Sequence, residues 1–270
     1  MYPRVLTIQD ISCVGQCSTT VALPILSACG AETCILPTVL LSTHTGGFGK
    51  PAAVRFDAQL SGIWRHWQEN GITFDAILVG YLGSPAAVET AVQIMDNLLA
   101  PGGITIVDPA MADHGKLYSG FDDAYARQIG QLCRRADIIL PNVTEAAILS
   151  GQPCADNEQD EYRLLKNLNH RCAVLTGADF SDGQTGVILG EGERFRAYRH
   201  RRVGGGCHGT GDIFAAAFTG ALVRGKDAFD AARIGADFTC RCIENTVRSP
   251  AHWYGVKFEP VLPELMAMLA

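Results

Sequence analysis

Short runs of consecutive apolar residues alternate along this chain with longer amphipathic stretches. Val5-Leu6-Thr7-Ile8, Glu32-Thr33-Cys34-Ile35-Leu36, Ala76-Ile77-Leu78-Val79, Ile104-Thr105-Ile106-Val107, Ile138-Ile139-Leu140 and Ala173-Val174-Leu175-Thr176 are brief and rich in β-branched residues. Continuous rather than period-two apolar runs are the pattern of strands covered on both faces. Amphipathic stretches near 18–29, 52–70, 85–99, 121–135, 144–151 and 158–169 separate them, and two helical stretches, 213–225 and 227–247, close the pattern. This order predicts a mostly parallel sheet covered by helices. Thr185-Gly186-Val187-Ile188-Leu189 and Arg194-Phe195-Arg196-Ala197-Tyr198 flank Gly190-Glu191-Gly192-Glu193, so a hairpin is expected over 185–203. With no linker, repeat or low-complexity block, residues 1–270 read as a single domain.

Composition narrows the picture. The 270 residues are 47% apolar and 19% charged, ample for one large α/β core. No run of eighteen apolar residues appears, and Met1-Tyr2-Pro3-Arg4 leads straight into a strand, so neither a membrane span nor a signal peptide is expected and the reading is cytoplasmic. A net charge of −6 argues against nucleic acid. The single dense cationic run, Arg199-His200-Arg201-Arg202, is placed beside a nucleotide phosphate instead. Ten scattered cysteines read as buried small hydrophobes, and the pairs Cys13/Cys17 and Cys240/Cys242 lack zinc-site spacing.

The chemistry concentrates at Gly206-Cys207-His208-Gly209-Thr210-Gly211-Asp212, which enters the apolar helical run Ile213–Phe218. Such a turn aims free backbone N–H groups at one point, where the positive helix end adds to their field. A carboxylate there repels an anion unless it takes a proton from an attacking group, so Asp212 points to phosphoryl transfer onto an alcohol. Simple helix capping is the competing reading. Residues 204–209 also match the dinucleotide fingerprint G-x-G-x-x-G, but two helical stretches follow where helix then strand is required. No Walker loop is present, since Gly49-Lys50 and Gly225-Lys226 run into Pro51 and Asp227.

Ligands of open α/β sheets bind beyond the carboxyl edge of the strands. Asp108-Pro109, Asn142 to Glu145, and Thr176-Gly177 follow three predicted strands. Asp108, Asn142 and Glu145 are hard oxygen donors suited to Mg²⁺ near a triphosphate. Singly, Asp108-Pro109 reads as a turn and Asn142–Glu145 as a helix cap; jointly they favour a nucleotide site.

Taken together, the Gly-Thr-Gly-Asp turn, Asp108-Pro109 and Asn142-Val143-Thr144-Glu145 resemble the ribokinase superfamily. Ile8-Gln9, Leu41-Ser42-Thr43-His44-Thr45-Gly46 and Gly80-Tyr81-Leu82-Gly83-Ser84 resemble its vitamin B6 branch, the pyridoxal/pyridoxamine kinases. The resemblance covers nearly the whole chain. It implies a single-domain, ribokinase-like three-layer α/β sandwich, a homodimer, ATP as phosphoryl donor, Mg²⁺, and room for a monovalent cation, K⁺. By position it makes Asp212 the base for the 5′-hydroxyl and gives the amides of Gly209, Thr210 and Gly211 the transferring phosphoryl. Asp108 and Glu145 resemble residues that hold Mg²⁺ through water, and Asn142, Thr176 and Gly177 lie by the phosphates. Asp10, Thr45 and Tyr81 correspond to residues around the pyridine ring. A flap over ATP is expected from Met111 to Gly120.

One departure concerns substrate choice: Asp10 stands where enterobacterial-type members have serine, and an ionised carboxylate accepts but cannot donate a hydrogen bond. Cys207 has a counterpart in relatives that capture the pyridoxal aldehyde, while His44 and His208 read equally as structural and catalytic. The near alternative is a hydroxymethylpyrimidine kinase. The distant ones are an NAD-dependent oxidoreductase and a non-catalytic vitamer carrier.

Overall fold

A computed structural model describes residues 2–181, 183–204, 207–249 and 251–270. The chain opens with β1 (Arg4–Ser12), α1 (Thr19–Ala28), β2 (Glu32–Leu41), β3 (Ala53–Arg55), α2 (Asp57–Glu69), β4 (Phe74–Val79), α3 (Pro85–Leu98) and β5 (Leu99–Val107). It continues with β6 (Ala112–Asp113), β7 (Lys116–Leu117), α4 (Asp123–Cys133), β8 (Ile138–Ile139), α5 (Val143–Ser150), α6 (Glu158–Leu168) and β9 (Cys172–Phe180). β10 (Gln184–Glu191), β11 (Arg194–Arg201), α7 (Thr210–Val223), α8 (Ala228–Val247), a 3₁₀ turn (Glu259–Val261) and α9 (Leu262–Leu269) complete it.

One sheet runs in the order β11-β10-β9-β8-β5-β4-β1-β2-β3. Its six central strands, β9 to β2 in that order, pair parallel, while β3, β10 and β11 pair antiparallel at the edges. Alternate residues of the buried strands feed two separate cores. Val5, Ala76, Leu78 and Val174 pack with α1, α7, α8 and α9 on one face. Leu6, Ile77, Val79 and Leu175 pack with residues of α2 to α6 on the other. The expected α/β sandwich is therefore present, with helices on both sides of the sheet. Among the described residues no helix is long and apolar enough to cross a membrane.

Three expectations change. The amphipathic stretch 52–70 is not wholly helical: Ala53–Arg55 is an exposed edge strand on β2, and the helix starts at Asp57. β-branched Val54 after Pro51 suits an extended edge, and β2 offers it free ladder groups. β9 does not end at Thr176-Gly177 but runs to Phe180, with its register to β10 broken opposite Gly177 (φ 68). The terminal turn and α9, unread in the sequence, cover the α8 face through buried Val261, Leu265 and Leu269.

Candidate active site

Helix α7 starts at Thr210 behind Gly209, whose φ of 85° is left-handed, and no side chain caps this end. The first backbone N–H to bond back along the helix is that of Ile213, to the Gly209 carbonyl at 3.0 Å. The amides of Thr210, Gly211 and Asp212 are thus free of intrahelical partners, as at any helix start. A Cβ on Gly209 would lie 2.0 Å from the Gln16 carbonyl oxygen, so both its φ and its neighbour demand glycine. Ile213 to Ala221 are all buried, which fixes the direction in which the free amides point. Gly206, shared by both glycine motifs read in the sequence, and Gly205, part of the 204–209 match, lie outside the described residues.

Carboxylates surround this turn. Asp212 is half-buried, and burial pushes its pKa up to about 7, helped by the charge of Asp10 and opposed by the Ser18 backbone N–H. Asp108, the residue after β5, lies beside the turn: a Cβ on Gly211 would sit 3.7 Å from its Oδ2. Burial first, then the charges of Glu145 and Asp212, raise the Asp108 carboxyl above its ordinary range. Glu145 is buried as well, and the same desolvation raises it against the pull of three backbone amides.

Those amides identify what Glu145 does locally. Its Oε2 accepts from Asn142 N at 2.9 Å, and Asn142 Oδ1 accepts from Glu145 N at 2.9 Å, a capping box at the start of α5. Its Oε1 accepts from Met111 N and Ala112 N at 3.1 and 3.4 Å. Asn142 Nδ2 donates to Ala112 O at 2.8 Å, and Gly115 N donates to Thr144 Oγ1 at 3.0 Å. The capping reading of Asn142–Glu145 is thus present in fact, and the box also ties down the segment read as a flap. That segment is a β6–β7 hairpin turning at His114 and Gly115, with φ of 50° and 75°.

On the other side of Asp212, the β1–β2 register slips at Asp10, with Gln9 opposite Pro37 but Ile11 opposite Leu40. Irregular pairing of this kind re-aims a side chain beside a site. Asp10 is buried; its carboxylate accepts from Ser12 Oγ at 2.9 Å and from the Ser18 hydroxyl, and its N–H donates to Tyr81 O at 3.2 Å. Burial raises its pKa despite those bonds. Tyr81 feels the Asp10 charge and packs on Phe121, ring centroids 5.5 Å apart. Asp10, Tyr81, Asp212, Gly211, Asp108 and Glu145 therefore converge.

Other predicted residues stand further out. Thr45 is exposed on the loop after β2. Cys207 is half-buried and packs against the α1/α7 core. Thr176 N donates to Pro141 O at 2.9 Å, which places Thr176 and Gly177 next to Asn142 across the β8–β9 edge. His44 Nε2 bonds Tyr254 O at 2.8 Å while its Nδ1 accepts from Gly46 N, so it is a structural neutral imidazole whose pKa burial lowers. In the cationic run, Arg199 and Arg202 are engaged by Glu158 and Asp179.

A family model described as phosphomethylpyrimidine kinase matches residues 57–256. The chain belongs to the phosphomethylpyrimidine kinase family. It is 28% identical to the pyridoxine/pyridoxal/pyridoxamine kinase of Bordetella bronchiseptica, over 90% of this chain and 89% of that one. The crystal structure of pyridoxal kinase from Lactobacillus plantarum superposes with a TM-score of 0.91 at 32% identity, covering 99% of this chain and 98% of that one. A Bacteroides thetaiotaomicron protein, provisionally named a phosphomethylpyrimidine kinase and crystallised with pyridoxal, gives 0.92 at 28%, covering 98% and 96%. The chain is thus a phosphotransferase, and its resemblance to the vitamin B6 kinases holds. The oxidoreductase reading falls: β11 before the 204–209 match is antiparallel, and α7 leads into α8 rather than a strand.

Within this kinase, among the described residues, no three His, Cys, Asp or Glu side chains converge closely enough to grip a metal directly. Asp212, Asp108 and Glu145 nonetheless form an all-oxygen set by the glycine turn, each raised partly by neighbouring acidic charge, which suits a hard cation holding its own waters. The sequence reading missed Ser18, Gln16 and Tyr118. Ser18 adopts φ 55°, unusual for a non-glycine, and reaches both Asp10 and Asp212. Nothing in the local sequence marks it, because its role comes from loop geometry. Tyr118, after the β6–β7 hairpin, lies within the field of Glu145, Asp108, Asp113 and Asp212.

Proposed function

We propose that this kinase, acting as one domain over residues 1–270, transfers the γ-phosphoryl of ATP to the hydroxymethyl group of a vitamin B6 vitamer. The observation that carries the reading is Asp212 in the first turn of an uncapped helix, its carboxyl pushed up to about 7 by burial. A base of that strength is matched to neutral pH. Asp212 takes the alcohol proton as the oxygen bonds phosphorus and the β–γ bridge breaks, releasing ADP. The amides of Gly209, Thr210 and Gly211 receive the charge on the phosphoryl oxygens, where positioning and electrostatics carry most of the rate.

Asp108 and Glu145 hold Mg²⁺ through its waters, and the metal supplies charge neutralisation at the phosphates. Asn142, Thr176 and Gly177 border the nucleotide phosphates, and a K⁺ ion belongs to the same reading. Asp10, Tyr81, Thr45 and Cys207 face the vitamer, with the Asp10 carboxylate favouring a cationic one such as pyridoxamine. A homodimer accompanies the assignment. The second reading, a hydroxymethylpyrimidine kinase, is supported by the description of the matching family.

The test is ATP consumption with Mg²⁺ against pyridoxal, pyridoxamine, pyridoxine and hydroxymethylpyrimidine, with Asp212→Ala as control. Turnover of a B6 vitamer that drops about 10²- to 10⁴-fold in the variant is the expected result. Turnover of hydroxymethylpyrimidine alone selects the second reading, and none with any of the four overturns both.

A further inference from the structure

The segment His252–Glu259, which runs from beyond α8 into the first residue of the terminal 3₁₀ turn, is strapped to the loop between β1 and α1, and Gln16 is the knot. The Gln16 side chain donates through Nε2 to Glu259 Oε1, and its Oε1 lies 3.0 Å from His252 Nε2. Its backbone pairs with Gly255, where a Cβ would sit 2.8 Å from Gln16 N. His44 grips the same segment through the Tyr254 carbonyl, and Phe48 packs on Trp253 with ring centroids 4.6 Å apart. On its far side Gln16 meets the catalytic turn: its carbonyl oxygen is the atom that leaves no room for a Cβ at Gly209. Two residues on, Ser18 N–H reaches the Asp212 carboxylate.

We infer that Gln16 is a positioning residue for phosphoryl transfer, held by His252 and Glu259 so that its carbonyl seats Gly209 and, through it, the free amides of α7. The inference rests on the anion-hole reading above. In this inference Gln16 acts through the turn rather than on a reactant. Its side chain fixes a loop whose backbone abuts the turn, and misplacing oriented groups by about 1 Å can cost on the order of 10²-fold in rate. Because the amides matter most when charge develops, the loss belongs in kcat rather than in KM.

Gln16→Glu keeps the shape but sets a carboxylate against that of Glu259. We expect kcat to fall about tenfold with the KM values for ATP and vitamer within about twofold, since only transition-state contacts are disturbed. Adding Glu259→Gln restores a donor to face the introduced carboxylate, and the double variant is expected within about threefold of wild type, the coupling that contacting residues show. His252→Ala, which removes the other partner, should lower kcat in the same direction if Gln16→Glu does not fold. An unchanged kcat in Gln16→Glu or His252→Ala, a loss confined to KM, or a loss that Glu259→Gln does not recover overturns the inference. Asp212→Asn assayed alongside separates the two claims: if it keeps the wild-type rate, the reading of this turn as the phosphoryl-transfer site with Asp212 as its base fails, whereas if its rate drops while Gln16→Glu is normal, only the role of Gln16 falls.

Discussion

A carboxylate at the positive end of a helix would ordinarily ionise easily, yet desolvation and the charge of Asp10 hold Asp212 high, at about 7. As the base it must be ionised, so kcat/KM is expected to fall about tenfold per pH unit below that value and to level off above it. Asp212→Asn should leave a low rate with this limb removed; a wild-type profile flat from pH 5 to 8 would contradict the assignment. Asp212 was legible from its spacing after three glycine-rich positions. Ser18 was not, since a serine at φ 55° looks in sequence like any helix-capping serine, yet it makes no capping hydrogen bond to α1 and instead reaches the two acids.

At the scale of elements, the Asn142–Glu145 box does two jobs. It caps α5, and through Met111, Ala112 and Asn142 it anchors the β6–β7 hairpin beside Asp108. Asn142→Ala is therefore expected to cost more than an ordinary cap: about 1 kcal/mol for the cap itself, and about 2–4 °C in melting temperature. It should also raise KM for ATP, because the hairpin loses its tie. A melting shift with KM for ATP unchanged would show the box to be structural alone. The sequence presented Asn142 and Glu145 both as cap and as ligands, and at Glu145 the proposed ligand role need not compete with the cap, since a carboxylate has more lone pairs than the cap consumes. The hairpin itself could not be read, because two-residue strands carry no periodicity.

Across the whole molecule, Asp10, Asp108 and Asp212 all ionise less readily in the fold than in the unfolded chain. Raised folded-state values mean that their contribution to stability is complete below about pH 4 and is lost as pH rises, for Asp212 through about 7. The melting temperature of Asp212→Asn relative to wild type is thus expected to climb between pH 5 and 8. Mg²⁺ with ATP should stabilise wild type more at pH 8 than at pH 6, as a ligand that favours the ionised site; a pH-independent gain in differential scanning calorimetry would refute this. By itself the sequence determined the layered α/β architecture and the parallel sheet, and it singled out the glycine turn and Asp212 as the proposed site, because hydrophobic period, glycine spacing and strand-end chemistry are local signals. Tertiary structure alone decided that Ala53–Arg55 is a strand, that β9 runs on past Gly177, and that His252–Glu259 closes over Gln16 and His44. Those outcomes depend on a neighbouring edge, a bulge and a contact spanning more than two hundred residues, as between Gln16 and His252, and no window along the chain contains both partners.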